Sequence, residues 1–425
     1  MIESIVICKL FEMFDYKISF LNKPITIITG PNGYGKSTIL RILDALSNGD
    51  LLIFLKLSFE KIIINCVDDN KNPTQVTLAN KKISCGKDTF DLLELTKFEV
   101  NNRLYPFLEE IEEGVYFDRR RGRIIRDIDF PARFLESYDT VPIEHMKSEQ
   151  AEIYKNIILS LKKNIGEVYF IKEQRLVKNE KKSRTRNESE IIYVIDELPH
   201  EFTKMINEIS NKYSQISNQL DSTYPNRLFN SNETLMESKE YEIRVEKMTQ
   251  KFQKLSKYDI SDIQRVTSVG FKPEHAVALR IYFDDFDNKY SVYEDFLNKL
   301  DLFTDIINGR LTFKQVSISR DKGLSITSNG KELSLDQLSS GEKQEIVLLF
   351  ELIFKSKQNM LLLIDEPEIS LHISWQKKFI DDLQKIVEYN KMNVIVATHS
   401  PQIINNHWDW QIDLGSLYAE QLNNR

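Results

Sequence analysis

The chain has 425 residues, 41% hydrophobic and 28% charged, with a formal net charge of −7. That length and balance suit a globular protein of two or more domains and exclude an intrinsically disordered chain. The acidic balance argues against a general nucleic-acid coat and leaves room for a local basic groove.

Cys8, Cys66 and Cys85 have no paired spacing, so neither a disulfide frame nor a zinc knuckle is expected, which fits a reducing cytoplasm. The start, Met1-Ile-Glu-Ser, lacks the basic and apolar regions of a signal peptide, and the longest apolar runs fall far short of a membrane span. Residues 2–20 alternate as two short strands with Phe14 and Tyr16 between them. An aromatic there can meet an adenine, but core packing is the expected role of both rings.

Pro24-Ile-Thr-Ile-Ile-Thr29 predicts a buried strand, and Thr38–Leu46 has apolar residues at helical spacing. Between them Gly30-Pro-Asn-Gly-Tyr-Gly-Lys-Ser37 fits the phosphate-loop pattern GxxxxGK[ST] in its strand–loop–helix context. Glycines let backbone amides wrap an anion, and the helix N-terminus points at it. Lys36 supplies a cation for the β- and γ-phosphates and Ser37 a hydroxyl for Mg²⁺. Candidate nucleotide contacts are Gly30, Asn32, Gly33, Tyr34, Gly35, Lys36, Ser37 and Thr38.

Residues 59–85 predict a β-hairpin split by the turn cluster Asp68–Pro73, and residues 91–112 and 143–164 predict helices. The arginine-rich run Arg119–Arg126 reads first as a solvated loop and second as a contact for phosphate or an acidic partner. Val168–Ile171 and Ile191–Ile195 predict strands, and Lys178–Arg186, without apolar residues, a mobile loop. Phe202, Ile206, Ile209, Tyr213, Ile216 and Leu220 step as a short heptad seam, which Asp221-Ser-Thr-Tyr-Pro225 is expected to end. Val245, Met248, Phe252 and Leu255, then Tyr293, Phe296, Leu300, Phe303 and Ile307, repeat the spacing and predict antiparallel helices. Residues 311–335 alternate around Asn329-Gly330, a tight-hairpin turn.

Three further motifs follow. Leu338-Ser-Ser-Gly-Glu342 opens a helix and offers a second anion site. Leu361–Asp365 is an apolar strand delivering Asp365 and Glu366 where an α/β sheet binds phosphates, one for Mg²⁺ and one for the attacking water. Asn393–Thr398 is a strand delivering His399, which can bond the γ-phosphate and the water.

Together GPNGYGKS, LSSGE, LLLIDEPE and ATHS resemble the head of ABC-type ATPases, in the branch of the chromosome-maintenance ATPases and the overcoming-lysogenisation-defect (SMC/OLD-like) proteins. The signature departs from LSGGQ at Ser340 and Glu342, and Glu366-Pro-Glu-Ile-Ser-Leu-His372 is similar to the EPExxLH stretch of the lysogenisation-defect branch. The resemblance implies an α/β fold: an ABC-type head in residues 1–195 and 309–425, a mixed sheet with the phosphate loop plus a β-hairpin subdomain. An antiparallel, short coiled-coil arm is inserted at 196–308.

It further implies ATP as ligand and Mg²⁺ held by Ser37, Gln174 (the Q-loop glutamine) and Asp365. Glu366 is the implied catalytic glutamate and His399 the switch histidine. Ser339, Ser340, Gly341 and Glu342 cap the nucleotide of a second copy, in a head-to-head dimer or a higher homo-oligomer built from dimers.

Phe170–Leu176, Gln219–Leu228 and Ala397–Ile403 resemble the compact ATPases of bacterial anti-phage operons, foremost the ATPase subunits (AriA) of PARIS systems. That implies a sensor or scaffold holding a separate, Toprim-type (AriB-like) effector nuclease until a phage-encoded trigger protein appears. The alternative is a RecF-like DNA-repair clamp, with direct DNA binding left open; a membrane transporter subunit is disfavoured by the helical insert. No nuclease of its own is expected: only residues 400–425 follow His399, and Asp409, Asp413 and Glu420 are expected on a tail without a strand–helix framework. The arm and the arginine-rich run are the candidate docking surfaces for a partner.

Overall fold

The computed structural model describes residues 2–20, 23–67, 72–96, 108–112, 115–118, 123–126, 148–173, 176–181, 189–230, 236–260, 270–369 and 371–423. The strands in chain order are β1 (Ile2–Leu10), β2 (Phe14–Ser19), β3 (Ile25–Thr29), β4 (Lys61–Val67), β5 (Pro73–Ala79), β6 (Lys82–Cys85), β7 (Asp88–Asp91), β8 (Leu108–Glu112), β9 (Val115–Asp118) and β10 (Arg123–Arg126). There follow β11 (Val168–Ile171), β12 (Val177–Lys181), β13 (Ser189–Tyr193), β14 (Gln315–Ser319), β15 (Gly323–Ser328), β16 (Lys331–Leu333), β17 (Leu361–Asp365), β18 (Asn393–Ala397) and β19 (Gln411–Asp413). The chain forms two compact units, one of residues 1–173, 356–369 and 376–425, the other of residues 174–355 and 370–375. The expected arm, 196–308, falls within the second.

In the first unit, β11-β17-β18-β3-β19 form an all-parallel sheet. Its central strands β17, β18 and β3 read as near-continuous apolar runs, as strands covered on both faces do; all five residues of β3 are buried. A separate antiparallel sheet has the order β2-β1-β4-β5-β6-β7, with inward Ile62, Ile64 and Cys66 alternating with less buried neighbours. The expected mixture of strand directions is thus segregated into separate sheets. The helices Lys36–Asn48 and Ser148–Ile165 fill the core between them, through Ile39, Leu43, Leu46, Ile157 and Leu161.

Several local expectations are corrected. Phe14 and Tyr16 lie inside β2, buried in the core. Of the helix expected at 91–112, the described parts are a short 3-10 turn, Leu92–Thr96, and strand β8. Lys178–Lys181 belongs to β12, paired with β13, and Val194 and Ile195 begin a helix instead of ending a strand. The rest of the Lys178–Arg186 run and most of the Asp68–Pro73 turn lie outside the described residues, as do Arg119, Arg120 and Arg121. The tail also has a framework: Asp413 ends β19, and its carboxylate accepts hydrogen bonds from the amides of Gly415 (3.1 Å) and Ser416 (3.3 Å) at the start of the helix Leu414–Asn423.

The second unit is built on the helices Val194–Asn230, Ser238–Lys257 and Ala276–Asn308. Ring contacts pair Phe202 with Phe303 and Tyr213 with Tyr293, and Arg227 meets Asp285, so the first and third run antiparallel. Ion pairs of Arg280 with Glu240 and Lys257 with Asp301 show the second running parallel to the third. The predicted seam residues Tyr293, Phe296, Leu300, Phe303 and Ile307 are all buried.

Asp221–Pro225 does not end the first helix, which continues through Pro225 to Asn230. Proline removes a helix hydrogen bond, here the one to Asp221 O, and side chains brace the two carbonyls just before it. The hydroxyls of Ser222 and Thr223 donate to Gln219 O, and Thr223 and Arg227 donate to Leu220 O. Arg227 then clamps Asp285 at 2.6 and 2.8 Å, pinning the extension to the third helix.

β14, β15 and β16 form a meander whose Asn329-Gly330 turn has φ of 51° and 75°, as a two-residue hairpin loop requires. The turn into β15 touches the first helix: a Cβ on Gly323 would lie 1.9 Å from Pro199 O. The helix Ser340–Phe350 follows, and its buried Glu345 pairs with Arg310 just beyond the third helix.

Candidate functional site

The C-terminal ends of β3, β17 and β18 lie side by side: Asp365 pairs in register with Ala397, and Ala397 with Ile28. Backbone bonds carry the register past the strand ends, Thr398 N to Ile28 O (3.0 Å) and Glu366 N to Ala397 O (2.9 Å). This edge of a parallel sheet is where ligands bind in open α/β folds.

The phosphate loop sits on it. Gly33 and Gly35 have φ of 85° and 88°, conformations that suit glycine. A Cβ on Gly35 would come 2.8 Å from Leu10 Cδ2. Lys36 is buried and donates to Gly30 O (2.9 Å) and Pro31 O (3.4 Å), which holds its ammonium inside the loop. Asn32 and Gly33 are exposed at the loop tip, and Thr38 is half-buried behind it. Tyr34 is spent on the scaffold: Tyr16 Oη donates to its carbonyl (2.8 Å), and its ring packs on Phe14 and Tyr418.

Ser37 Oγ donates to Asp365 Oδ1 at 2.9 Å. Burial raises the Asp365 carboxyl above its ordinary range, and the Ser37 bond opposes that. Hydroxyl and carboxylate oxygens are the donors that Mg²⁺ prefers, so this pair fits the ion; Gln174 lies outside the described residues.

Glu366 leaves the strand with φ of 48°, a backbone state that costs a non-glycine residue about 1–3 kcal/mol and clusters at functional sites. Its Oε2 meets His399 Nδ1 at 2.5 Å, and its Oε1 lies 4.0 Å from Lys36 Nζ. Burial raises its carboxyl, the neighbouring Glu368 adds to the rise, and His399 and Lys36 counter it. A half-buried carboxylate with a raised pKa beside a partly exposed histidine suits a general base or water-positioning group.

Glu368 was quoted within a motif but given no role by sequence reasoning. It is buried, and its Oε1 accepts from Thr398 Oγ1 (2.6 Å), His399 N (3.0 Å) and Ser400 N (3.1 Å). The spacing Glu366-Pro-Glu368 was its only sequence signal. Ligand atoms of Glu366, Glu368 and His399 all lie within 4.8 Å of one another.

The structure therefore brings together the phosphate loop, Asp365, Glu366 and His399. Ser339, Ser340, Gly341 and Glu342 belong to the other unit. Ser339 caps its helix, accepting from Glu342 N (3.3 Å), while Glu342 accepts from Ser339 N (2.8 Å) and from Lys314 Nζ. Ser339 and Ser340 are exposed, so the amides opening this helix lie at a surface.

Among curated proteins the chain is similar to UvrABC system protein A of Aquifex aeolicus (strain VF5), 38% identical over 108 residues, 25% of this chain and 11% of that protein. It is also similar to the "Retron Vc95 probable ATPase" of Vibrio cholerae serotype O1 biovar El Tor, 33% identical over 113 residues, 24% of this chain and 22% of that one. The chain thus spans less than a quarter of the length of these curated relatives. Among solved structures it is similar to the Smc head domain with an extended coiled coil from Pyrococcus furiosus, at 12% identity and a TM-score of 0.37, covering 95% of this chain and 91% of that one. The family model described as AAA ATPase domain matches residues 1–404. That span takes in the phosphate loop, Asp365, Glu366 and His399, and the chain belongs to the AAA ATPase domain family.

Proposed function

We propose that the chain binds and hydrolyses ATP with Mg²⁺ as an ABC-type ATPase. The observation that carries this reading is the convergence of Lys36, Ser37, Asp365, Glu366 and His399 at one sheet edge, with Ser37 on Asp365 at 2.9 Å and Glu366 on His399 at 2.5 Å. The loop amides and Lys36 bind the phosphates; Ser37 and Asp365 hold Mg²⁺, which neutralises charge developing on the phosphoryl oxygens. Glu366 orients and deprotonates the water, and His399 steadies it.

The rings that reach the base are not Phe14 and Tyr16. At the β1–β2 turn Phe11 and Met13 are 38% and 52% exposed, and the Phe11 ring edge lies 3.6 Å from the position of a Cβ on Gly35. We assign Phe11 as the adenine platform.

The exposed N-terminus of the helix Ser340–Phe350 supports the reading that Ser339–Glu342 act on the nucleotide of a second copy, closing a head-to-head dimer. The retron ATPases among the relatives support a defence role, with the ATPase acting as a sensor that holds and releases a separate Toprim-type nuclease, as in PARIS systems. The UvrABC relatives favour the second reading, a DNA-repair clamp.

The test is ATP binding and turnover. Lys36→Ala loses binding, and Glu366→Gln binds ATP, hydrolyses it at least about a hundred-fold more slowly, and accumulates as a dimer in light scattering. Wild-type affinity in Lys36→Ala, or wild-type turnover in Glu366→Gln, overturns the assignment. Neighbouring genes separate the two outputs: a Toprim-type nuclease gene supports defence, recombination genes support repair.

A further inference from the structure

Beside the catalytic pair sits an acid to which the reaction above gives no task. Glu368 places one carboxylate oxygen, Oε1, under three donors of the segment Thr398–Ser400. The same oxygen lies 3.3 Å from His399 Nδ1, whose nearer contact is Glu366 Oε2 at 2.5 Å. An imidazole nitrogen lying between two carboxylates, which only accept, carries the proton. The other oxygen, Glu368 Oε2, is buried with no hydrogen-bond donor among the described residues. Such an atom is costly unless a donor reaches it.

Glu366 Oε2 holds the His399 N–H at 2.5 Å, and rotation of the carboxylate toward the water releases it. We propose that Glu368 is the positioning residue for His399: it anchors the histidine loop through the saturated Oε1, and its unpartnered Oε2 accepts the Nδ1–H when Glu366 turns from the imidazole to the water. The proton stays on Nδ1 throughout; only its acceptor changes. This inference rests on the ATPase reading for its kinetic consequence and on geometry alone for its hydrogen bond.

Glu368→Gln separates the two tasks, because the amide oxygen still accepts from the loop while the amide nitrogen cannot accept from Nδ1. ATP affinity is expected to stay within about two-fold, whereas kcat falls about ten-fold or more, the scale of a misoriented catalytic group. In a His399→Ala background the same substitution is expected to change kcat less than two-fold, where a merely structural role would cost the same in both. Unchanged kcat in the single variant, or equal loss in both backgrounds, overturns the proposal.

A second readout needs no turnover. Nitrogen-15 shifts of His399 are expected to show the Nδ1–H tautomer in Glu366→Ala and its loss in Glu366→Ala/Glu368→Gln; identical tautomers refute the hydrogen bond. A wild-type chain that does not hydrolyse ATP sinks the ATPase reading and leaves this measurement to decide the inference.

Discussion

Replacing Arg310 by Met tests how the helix that begins at Ser340 is fixed. The Arg310 side chain is 4% exposed and that of its partner Glu345 is 1% exposed. Neither can be rehydrated without opening the second unit. Removing one partner of such a pair leaves an uncompensated buried charge, a loss of about 3–5 kcal/mol, whereas replacing both by apolar groups of similar volume is often neutral. Arg310→Met and Glu345→Leu are each expected to lose about 3–5 kcal/mol, and the double variant is expected to recover most of it. For a unit of this size that is a fall of roughly 6–20 °C in melting temperature for each single variant. Urea denaturation and calorimetry of the three variants close the cycle. Single variants within about 1 kcal/mol of wild type, or simple additivity in the double, refute the claim that these two residues depend on each other.

Gly323→Ala is expected to destabilise the second unit by more than about 3 kcal/mol, since a left-handed φ of 61° and a Cβ 1.9 Å from the Pro199 carbonyl leave only backbone to move; a melting temperature within a degree of wild type contradicts the packing. Burial works against the Glu342 carboxylate, but Lys314 and the amide and hydroxyl of Ser339 hold its pKa below the ordinary range. A lowered pKa contributes stability that is present above the unfolded value and is lost as pH falls through the folded one. Wild type should therefore lose melting temperature below about pH 4 more steeply than Glu342→Gln, and parallel curves refute this. Phe11→Ala is expected to weaken ATP binding by about 1–3 kcal/mol, the scale of base stacking, without changing the melting temperature; titration calorimetry showing unchanged affinity removes the adenine platform.

The placing of the candidate site in the first unit was legible because it is local: a glycine loop, a strand end and a strand end, each written in a few consecutive residues. Glu368 was not, because its task exists only once β18 brings Thr398–Ser400 alongside. The helix through Pro225 was missed for a related reason. Proline and Asp-Ser-Thr argue locally for a stop, and only Asp285, 58 residues away in sequence, supplies the clamp that carries the helix on. The segment 91–112 misled in the opposite direction, its apolar spacing fitting a helix where the described parts pair or turn. Core packing was the expected role of Phe14 and Tyr16, and both are buried. The exposed turn residue Phe11 carries no strand pattern.

The strand that carries the phosphate loop has an order of assembly written into it. β3 is flanked by β18 on one side and β19 on the other, and Gln411 Nε2 bonds Thr29 Oγ1 across 382 residues of sequence. During synthesis an early segment therefore waits for partners made near residue 400 before its sheet can form. Contacts of such separation are slow to gain because loop closure precedes their reward. A nascent chain cannot complete the sheet edge that seats the phosphate loop until β18 and β19 have left the ribosome. The apolar β3, unpaired until then, needs shielding on the way.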